Sequence, residues 1–176
     1  MAEYEFTLKF HLPDASVDPE QYMGALAEAG CDDAVVGIGQ PGRLALDFTR
    51  ASSTAFDAIF SAVTAVKAAI PGAELVEASP DFVGLTDVAH LVGCTRQNIR
   101  KLMLVNAATF PAAVHDGSQA IWHLRPVLEW FRQTQKRTID PRLIEVSEAT
   151  MKVNVARQAR RFGGARLAKE VEGFFA

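Results

Sequence analysis

Residues 83–103 read VGLTDVAHLVGCTRQNIRKLM, and their spacing predicts two short helices joined by a tight turn. Thr86 and Thr95 stand where each helix would begin, and a threonine oxygen can accept a hydrogen bond from a free backbone amide there. Gly93 permits the sharp turn because it has no side chain to restrict the backbone. The apolar positions at helical spacing are Val88, Ala89 and Val92 in the first helix, then Ile99, Leu102 and Met103 in the second.

The outward side of the second helix carries polar side chains that suit DNA. Arginine binds guanine edges, asparagine and glutamine bind adenine, and threonine contacts phosphate or the thymine methyl group. Residues 93–105 contain no Asp or Glu, whereas an ordinary solvated helix face would mix carboxylates with the cations. We therefore expect this face to bind the major groove, with an inert polar helix as the alternative. The candidate contacts are Thr95, Arg96, Gln97, Asn98, Arg100 and Lys101.

The residues after the second helix predict a hairpin and a third helix. Asp116-Gly117 is a typical pair for a two-residue hairpin turn, so residues 110–114 and 119–122 are expected to pair as a wing. An apolar stripe then predicts a helix that packs on the first two, with its aromatic rings in the core. The stripe consists of Trp122, Leu124, Val127, Trp130 and Phe131.

Residues 85–132 resemble the winged helix-turn-helix domains of the MerR-like superfamily, in particular the AlpA-like and phage excisionase-like regulators. The likeness rests on a Leu-Thr-x-x-Ala start at Leu85, a Gly-x-Thr-Arg-Gln turn at Gly93, the Phe110-Pro111 pair, and the helix with Trp130 after the wing. The resemblance implies that the helix beginning at Arg96 enters the major groove and that the wing contacts the adjacent backbone or minor groove. It makes His115 and Ser118, in the wing, further candidate DNA contacts.

Two features depart from the pattern of that family. Residues 104–109, where such domains usually carry basic side chains, read LVNAAT and are longer and apolar. The wing tip has His115 and Asp116 in place of Arg or Lys. Because each missing phosphate contact removes free energy of counterion release, we expect a homodimer that reads half-sites about 34 Å apart.

Residues 1–78 predict a separate unit of strands and helices. Strict alternation over residues 4–12 predicts a strand with one apolar face. The further elements are a helix over about 19–29, strands over 34–38 and 43–48, a helix with Phe56, Ile59, Phe60, Val63, Val66 and Ile70 on its apolar face, and a strand over 73–77. This order is the split βαβ pattern of ferredoxin-like folds, with two helices on one face of a four-stranded antiparallel sheet.

Residues 138–176 predict a helical tail, because Asp140-Pro141 is a typical helix start and Gly163-Gly164 a typical break. Its first helix has one stripe of Val146, Thr150, Val153 and Arg157 and another of Ile144, Met151, Val155 and Phe162, and a second segment has Leu167, Val171, Phe174 and Phe175. These stripes, or the open face of the sheet, are expected to join two copies of the chain. Arg157, Arg160, Arg161 and Arg166 are either phosphate contacts or a solvated basic face.

The charge is divided unevenly between these regions. Residues 1–78 carry 4 Lys and Arg against 12 Asp and Glu, whereas residues 79–137 carry 7 against 4. Only the later region approaches a polyanion without electrostatic penalty. The alternative function is therefore a protein-binding module, an antitoxin or adaptor, whose acidic N-terminal domain binds a basic partner protein. A small-molecule sensor in the N-terminal domain is a third hypothesis.

Several classes of protein are excluded by composition. Cys31 and Cys94 lie far apart and lack the spacing of a disulfide framework or zinc site, and no apolar run reaches the roughly 18 residues of a membrane span. The first residues lack the features of a signal peptide, so we expect a bacterial cytoplasmic location, nucleoid-associated when DNA is bound. No pattern indicates catalysis, a cofactor, a metal ion or a membrane partner.

Taken together, these patterns predict an α+β protein. An N-terminal ferredoxin-like βαββαβ domain over residues 1–78 precedes a winged helix-turn-helix DNA-binding domain over 79–137 and a helical tail over 138–176. The expected function is that of a sequence-specific transcriptional regulator that binds double-stranded DNA as a dimer.

Overall fold

The computed structural model describes residues 1–37 and 39–174, which form an α+β fold with a four-stranded and a two-stranded antiparallel sheet. Ile38, at the end of the predicted strand over 34–38, and Phe175, in the predicted tail segment, lie outside the described residues. Among the described helices, none has both the length and the apolar character needed to cross a membrane.

The four-stranded sheet forms the first part of the chain. Its strands are β1 (Ala2–His11), β2 (Ala34–Gly37), β3 (Arg43–Ser52) and β4 (Glu74–Ser79), in the spatial order β2-β3-β1-β4 with every neighbouring pair antiparallel. The alternation predicted for β1 is confirmed, since Phe6, Leu8 and Phe10 are buried and the residues between them face outward. The register places Phe6 opposite Phe48, and their rings stack with centroids 5.2 Å apart.

Two helices from the same region cover one face of this sheet. A short 3-10 helix over Pro19–Tyr22, capped by the Asp18 carboxylate, leads into α1 (Met23–Glu28). The second helix, α2 (Ala55–Ala69), begins after the Thr54 cap. The expected apolar face of α2 was wrong in part: Phe56 and Phe60 are 52% and 66% exposed, because the helix instead turns its small alanines toward the sheet for close packing.

A second core forms from the middle of the chain. Its elements are β5 (Phe82–Val83), α3 (Leu85–Leu91), α4 (Arg96–Val105), β6 (Trp122–His123) and α5 (Leu124–Thr134). The stripe from Trp122 to Phe131 is buried as predicted, and the Trp130 ring packs edge-on against Phe110 and Phe131. The aromatic residues of this stripe are therefore core residues.

The predicted hairpin of residues 110–114 and 119–122 is wrong in its pairing. A single bridge joins His115 to Ile121, with residues 116–120 as a loop, so Asp116-Gly117 is not a two-residue turn. Trp122 pairs with Val83 in the β5–β6 sheet instead. Pro111 has no backbone N–H to give to a ladder, and its carbonyl accepts a hydrogen bond from Trp122 Nε1 at 3.1 Å.

The tail packs within the chain as a third helix on the sheet. Helix α6 (Pro141–Phe162) starts at the Asp140 cap and ends at Gly163, whose φ of 131° breaks the helix before α7 (Gly164–Val171) as predicted. Val146 and Ala149 join the core of the sheet, while Leu143 and Ile144 pack against the second core. The first predicted stripe of α6 is therefore occupied within the monomer.

The second stripe predicted for α6 is divided: Ile144 packs against the second core and Met151 is half-buried, whereas Val155 is 49% and Phe162 68% exposed. Thr150, a member of the first stripe, and Asn154, which belongs to neither stripe, face the linker between the two cores. Thr150 Oγ1 donates to the Pro80 carbonyl at 2.7 Å, and Asn154 bonds the backbone of Ala78. Backbone groups that would otherwise be buried without partners thus fix which side of α6 faces inward.

A buried carboxylate also lies at this junction. Asp81 is 1% exposed, and its oxygens bond His123 Nδ1 at 2.7 Å and Asn154 Nδ2 at 2.8 Å. The Asp81 carbonyl further accepts from the backbone N–H of Leu124 at 2.7 Å. The β5–β6 sheet, α5 and α6 therefore meet at one residue, which fixes the second core relative to α6.

Candidate nucleic-acid interface

The turn between α3 and α4 has the geometry that the sequence predicts. Gly93 has a φ of 66°, a conformation that side-chain-bearing residues adopt at a cost. The N–H of Cys94 closes the turn by donating to the Ala89 carbonyl at 2.8 Å. Thr95 Oγ1 accepts from the backbone N–H of Asn98 at 3.2 Å, so Thr95 caps α4 as expected.

The cap predicted for the first helix is wrong. Helix α3 starts one residue earlier than Thr86, with Gly84 at the cap position. The Asp87 carboxylate accepts from the Gly84 N–H at 2.8 Å, which satisfies this end of the helix and leaves the Thr86 side chain exposed. Thr86 is therefore free to contribute to the surface beside α4.

Burial confirms how α3 and α4 pack. Val88, Ala89 and Ile99 are at most 4% exposed, and Leu102 and Met103 lie against the same core. The other end of α3 is held by a residue that the sequence analysis missed: Arg137, just beyond α5, donates from Nη1 to the Val92 carbonyl at 2.6 Å. Its position 45 residues away in the chain gave no local signal.

The outward side of α4 is a polar, cationic surface. All six candidate residues on or next to α4 are exposed: Thr95, Arg96, Gln97, Asn98, Arg100 and Lys101. Within residues 1–37 and 39–174, no carboxylate lies within 4.0 Å of the cationic groups of Arg96, Arg100 or Lys101. Their charges are thus available to an external anion rather than spent on ion pairs within the fold.

An open groove runs between α4 and the loop of residues 116–120, which the His115–Ile121 bridge closes. Arg96 and Arg100 line one wall, and Ser118 and Gln119 line the other. Thr86 and Asp87 of α3 line the same groove, so its lining includes one carboxylate beside the two arginines. Thr86 and Gln119 are two polar positions that the sequence did not indicate as contacts. The structure therefore brings Ser118 together with the arginines of α4.

The remaining candidates are arranged differently. Gln97, Asn98 and Lys101 are exposed on α4 but are not part of the groove lining, and Asn98 Nδ2 lies 3.7 Å from Cys94 Sγ. The exposed His115 ring lies against Gly117 in the loop, because a Cβ added at Gly117 would be 2.5 Å from His115 Nε2. His115 is thus placed at the loop rather than at the arginine-lined wall.

The cations of α4 lie within its first six residues. Leu104 and Val105, in its last turn, are 63% and 73% exposed. This agrees with the apolar character of residues 104–109 in the sequence and gives that end of the helix no cation for a phosphate.

Helix α5 carries an ion-pair cluster. Glu129 accepts hydrogen bonds from Arg125 Nη1 at 2.7 Å and from Arg132 Nη2 at 2.6 Å. These two guanidinium groups lower the pKa of Glu129 from its usual 4.5 to about 2. The carboxylate thus offsets the two arginines of α5, whereas the arginines of α4 have no such partner among the described residues.

The basic residues of the tail lie away from α4. Arg157, Arg160 and Arg161 line a second groove beside Leu75 of β4, on the four-stranded sheet. Arg166 forms an ion pair with Glu170 at 2.8 Å within α7. The structure thus does not bring these arginines to the groove between α4 and the loop.

Comparison with known proteins finds no matching family model, no matching curated protein and no matching solved structure. In the described part of the chain, no group of three or more His, Cys, Asp or Glu side chains is arranged to hold a metal ion. A functional interpretation therefore depends on the geometry of the exposed face of α4.

Proposed function

We propose that the chain is a sequence-specific regulator of transcription that binds double-stranded DNA, with α4 in the major groove. The observation that carries the proposal is the outward face of α4, which is exposed, free of carboxylates and capped by Thr95. An inert helix face would gain nothing from leaving Arg96, Arg100 and Lys101 without anionic partners. A DNA duplex supplies phosphates for such cations and base edges for arginine and amide groups.

The packing around α4 supports a winged helix-turn-helix within residues 79–137. A positive-φ glycine turn joins α3 to α4, and α5 packs behind both. The loop over residues 116–120 takes the place of the wing, although its flanking residues form only one bridge. We infer that this loop, with Ser118 at the groove and His115 beside it, approaches the backbone next to the bases that α4 reads.

The order of the four-stranded sheet supports a ferredoxin-like domain in residues 1–78. The sequence order strand-helix-strand-strand-helix-strand and the spatial order β2-β3-β1-β4 are both those of the split βαβ pattern. Such a scaffold serves many functions, so the fold alone does not identify the function of this domain. Helix α6 extends it, since Val146 and Ala149 of α6 pack into the same core as α1 and α2.

We further propose that two copies bind one site, because one module of this size buries little surface on DNA. The inward stripe of α6 is used within the monomer, which leaves α7 and the open side of the sheet for self-association. In α7, Leu167 and Val171 lie on one side of the helix and no residue is buried.

The alternative, a basic protein partner bound by the N-terminal domain, receives weaker support. The open side of the sheet exposes Glu3, Glu5 and Asp47, but Lys9 and His11 stand among them. Lys9 pairs with Glu77 at 3.2 Å, so part of the acidic charge is already compensated.

The experiment begins with selection of duplexes from a random library by the full chain, followed by fluorescence anisotropy with the selected duplex. Arg96→Ala and Arg100→Ala are each expected to cost about 1–3 kcal/mol of binding free energy, because each removes a base-reading side chain. Lys152→Ala is the matched control, since Lys152 is exposed on α6 and pairs with Glu148. Failure to enrich any duplex, or unchanged affinity in both arginine variants, would refute the proposal.

A further inference from the structure

A second groove, which shares no lining residue with the groove at α4, lies between α2 and the last turns of α6. Its apolar floor is formed by Val63, Ala73 and Leu75, which are buried or half-buried, and the exposed Ala156 also lines the groove. Its volume of about 700 Å³ is in the range that binds ligands in proteins. The groove is distinct from the site proposed for DNA.

Four cations surround this floor. Lys67 projects from α2, and Arg157, Arg160 and Arg161 project from α6, with Glu74 as the carboxylate in the lining. No carboxylate of the described chain lies within 4.0 Å of any of these four cations. A cationic groove therefore lies on a domain whose residues 1–78 carry a net negative charge.

One of these arginines is incompletely satisfied within the fold. Arg157 Nε is buried and has no hydrogen-bond partner among the described residues. A buried donor without a partner destabilises the fold, and a shift of the guanidinium toward an acceptor in the groove would relieve that penalty. This observation is independent of the charge count and also indicates an anionic occupant.

The position of the groove argues against its occupation by the same DNA that α4 would bind. Helix α6 passes the linker at Asn154, and Arg160 and Arg161 lie about 9–10 Å further along its axis, away from the second core. A phosphodiester backbone has no apolar side chains to cover the apolar floor, so DNA would leave that part of the groove exposed to water. A peptide with carboxylates on one side and apolar side chains on the other matches both the rim and the floor.

We propose that the groove between α2 and α6 binds an acidic, amphipathic segment of another protein. Carboxylates of the partner pair with Lys67, Arg160 and Arg161, and its apolar side chains cover Val63 and Leu75. This inference stands apart from DNA binding by α4, and either function can fail without the other.

The test uses the full chain and three fluorescein-labelled 15-residue peptides in fluorescence anisotropy. The first has glutamates on one helical face and leucines on the other. The second replaces every leucine by serine, and the third replaces every glutamate by lysine. The first peptide is expected to bind at least tenfold more tightly than the other two.

Variants of the protein then locate the binding site. Arg160→Glu combined with Arg161→Glu is expected to weaken the first peptide at least tenfold, whereas Lys152→Glu, two turns earlier on α6 and outside the groove lining, is expected to leave its affinity unchanged. Val63→Ser is expected to weaken the leucine peptide and not the serine peptide. Circular dichroism of each variant verifies that the fold is retained, and Val63→Ala replaces Val63→Ser if the latter unfolds.

Three results would overturn the inference. The first is equal affinity for the leucine and serine peptides, which would indicate charge attraction alone. The second is binding that is insensitive to the Arg160 and Arg161 changes. The third is a 20-base-pair duplex that binds more tightly than the first peptide and loses affinity in the same double variant, which would make the groove a nucleic-acid site.

Discussion

The side chain of Asn154 bonds both backbone groups of Ala78 at the end of β4. Asn154 Oδ1 accepts from the Ala78 N–H at 2.9 Å, and Nδ2 donates to the Ala78 carbonyl at 2.7 Å. Nδ2 also donates to the buried carboxylate of Asp81 at 2.8 Å. One amide of α6 thus fixes the sheet, the linker and, through Asp81, His123 of the second core.

Replacement of this amide is expected to destabilise the whole chain. Asn154→Ala removes three hydrogen bonds at a residue with 0% exposure and leaves Asp81 with one donor fewer, so we expect a loss of about 2–4 kcal/mol in the free energy of unfolding. Urea denaturation measures it. Gln158→Ala, exposed one turn later on the same helix, is expected to change stability by less than about 0.5 kcal/mol. A loss below 1 kcal/mol in Asn154→Ala would contradict this role.

The position of α6 shows what the sequence leaves undetermined. Its start at Asp140 and its end at Gly163 are local features, and both are confirmed. Which side of α6 faces inward depends instead on Thr150 and Asn154, whose polar side chains are buried because backbone groups 70 or more residues away need partners. Helical periodicity places Thr150 on the first stripe, but it cannot find Asn154, because hydropathy assigns an asparagine to the surface.

The candidate site likewise combines features that local sequence predicts with features that depend on distant residues. The Gly93 turn, the Thr95 cap and the exposed cations of α4 were predictable, because each depends on residues within a few positions. The pairing of Trp122 with Val83 was not, since two strands of two residues each carry no detectable pattern and their partners are 39 residues apart. That pairing in turn sets where the loop with Ser118 lies.

An arginine buried in the first core gives a second prediction. Arg50 is 8% exposed, donates to both carboxylate oxygens of Asp33 at 2.7 Å, and lies 4.8 Å from the centroid of the Phe48 ring. Arg50→Met is expected to cost about 2–4 kcal/mol of stability, less than for a fully buried pair because Asp33 is 29% exposed. Arg50→Lys should restore only part of it, since lysine cannot donate in a bidentate manner.

Chemical denaturation of both variants tests this role. Arg43→Ala is the control, because Arg43 lies on the same strand with its side chain exposed. If Arg43→Ala costs as much stability as Arg50→Met, the ion pair with Asp33 contributes no specific stabilisation.

Two glycines are expected to respond to alanine substitution with stability changes of opposite sign. Gly93 has a φ of 66°, so Gly93→Ala is expected to lose about 1–2 kcal/mol through backbone strain although space for a methyl group is open. Gly24 lies inside α1 with open space around it, so Gly24→Ala is expected to stabilise by about 0.5–1 kcal/mol. Thermal unfolding of the two variants compares them. A stabilising Gly93→Ala would mean that the turn adopts another backbone conformation.

The carboxylate of Glu129 gives a prediction of pH dependence. Hydrogen bonds from Arg125 and Arg132 lower its pKa from 4.5 to about 2, so the folded state favours the ionised form. The resulting stabilisation is full above pH 4.5, decreases as the pH falls below that value, and is lost near pH 2. The stability difference between the native chain and Glu129→Gln should follow this course in urea denaturation from pH 7 to 2. A carboxyl titration midpoint near 4.5 by NMR would contradict it.

Two neighbouring cations of α4 are expected to differ in what they read on DNA. Arg100 lines the groove with Ser118, whereas Lys101 lies outside that lining. If Lys101 binds phosphate, Lys101→Ala weakens the selected and a scrambled duplex by the same factor and reduces the slope of log affinity against log salt by about 1. Arg100→Ala should instead reduce the preference for the selected duplex by about 5-fold to 150-fold, which corresponds to about 1–3 kcal/mol.

Anisotropy titrations at four salt concentrations separate the two effects, because base contacts change the ratio between duplexes and phosphate contacts change the slope. Lys152→Ala should alter neither quantity. If Arg100→Ala lowers only the slope and leaves the ratio unchanged, α4 binds the backbone alone, and sequence preference must arise from the shape of the duplex.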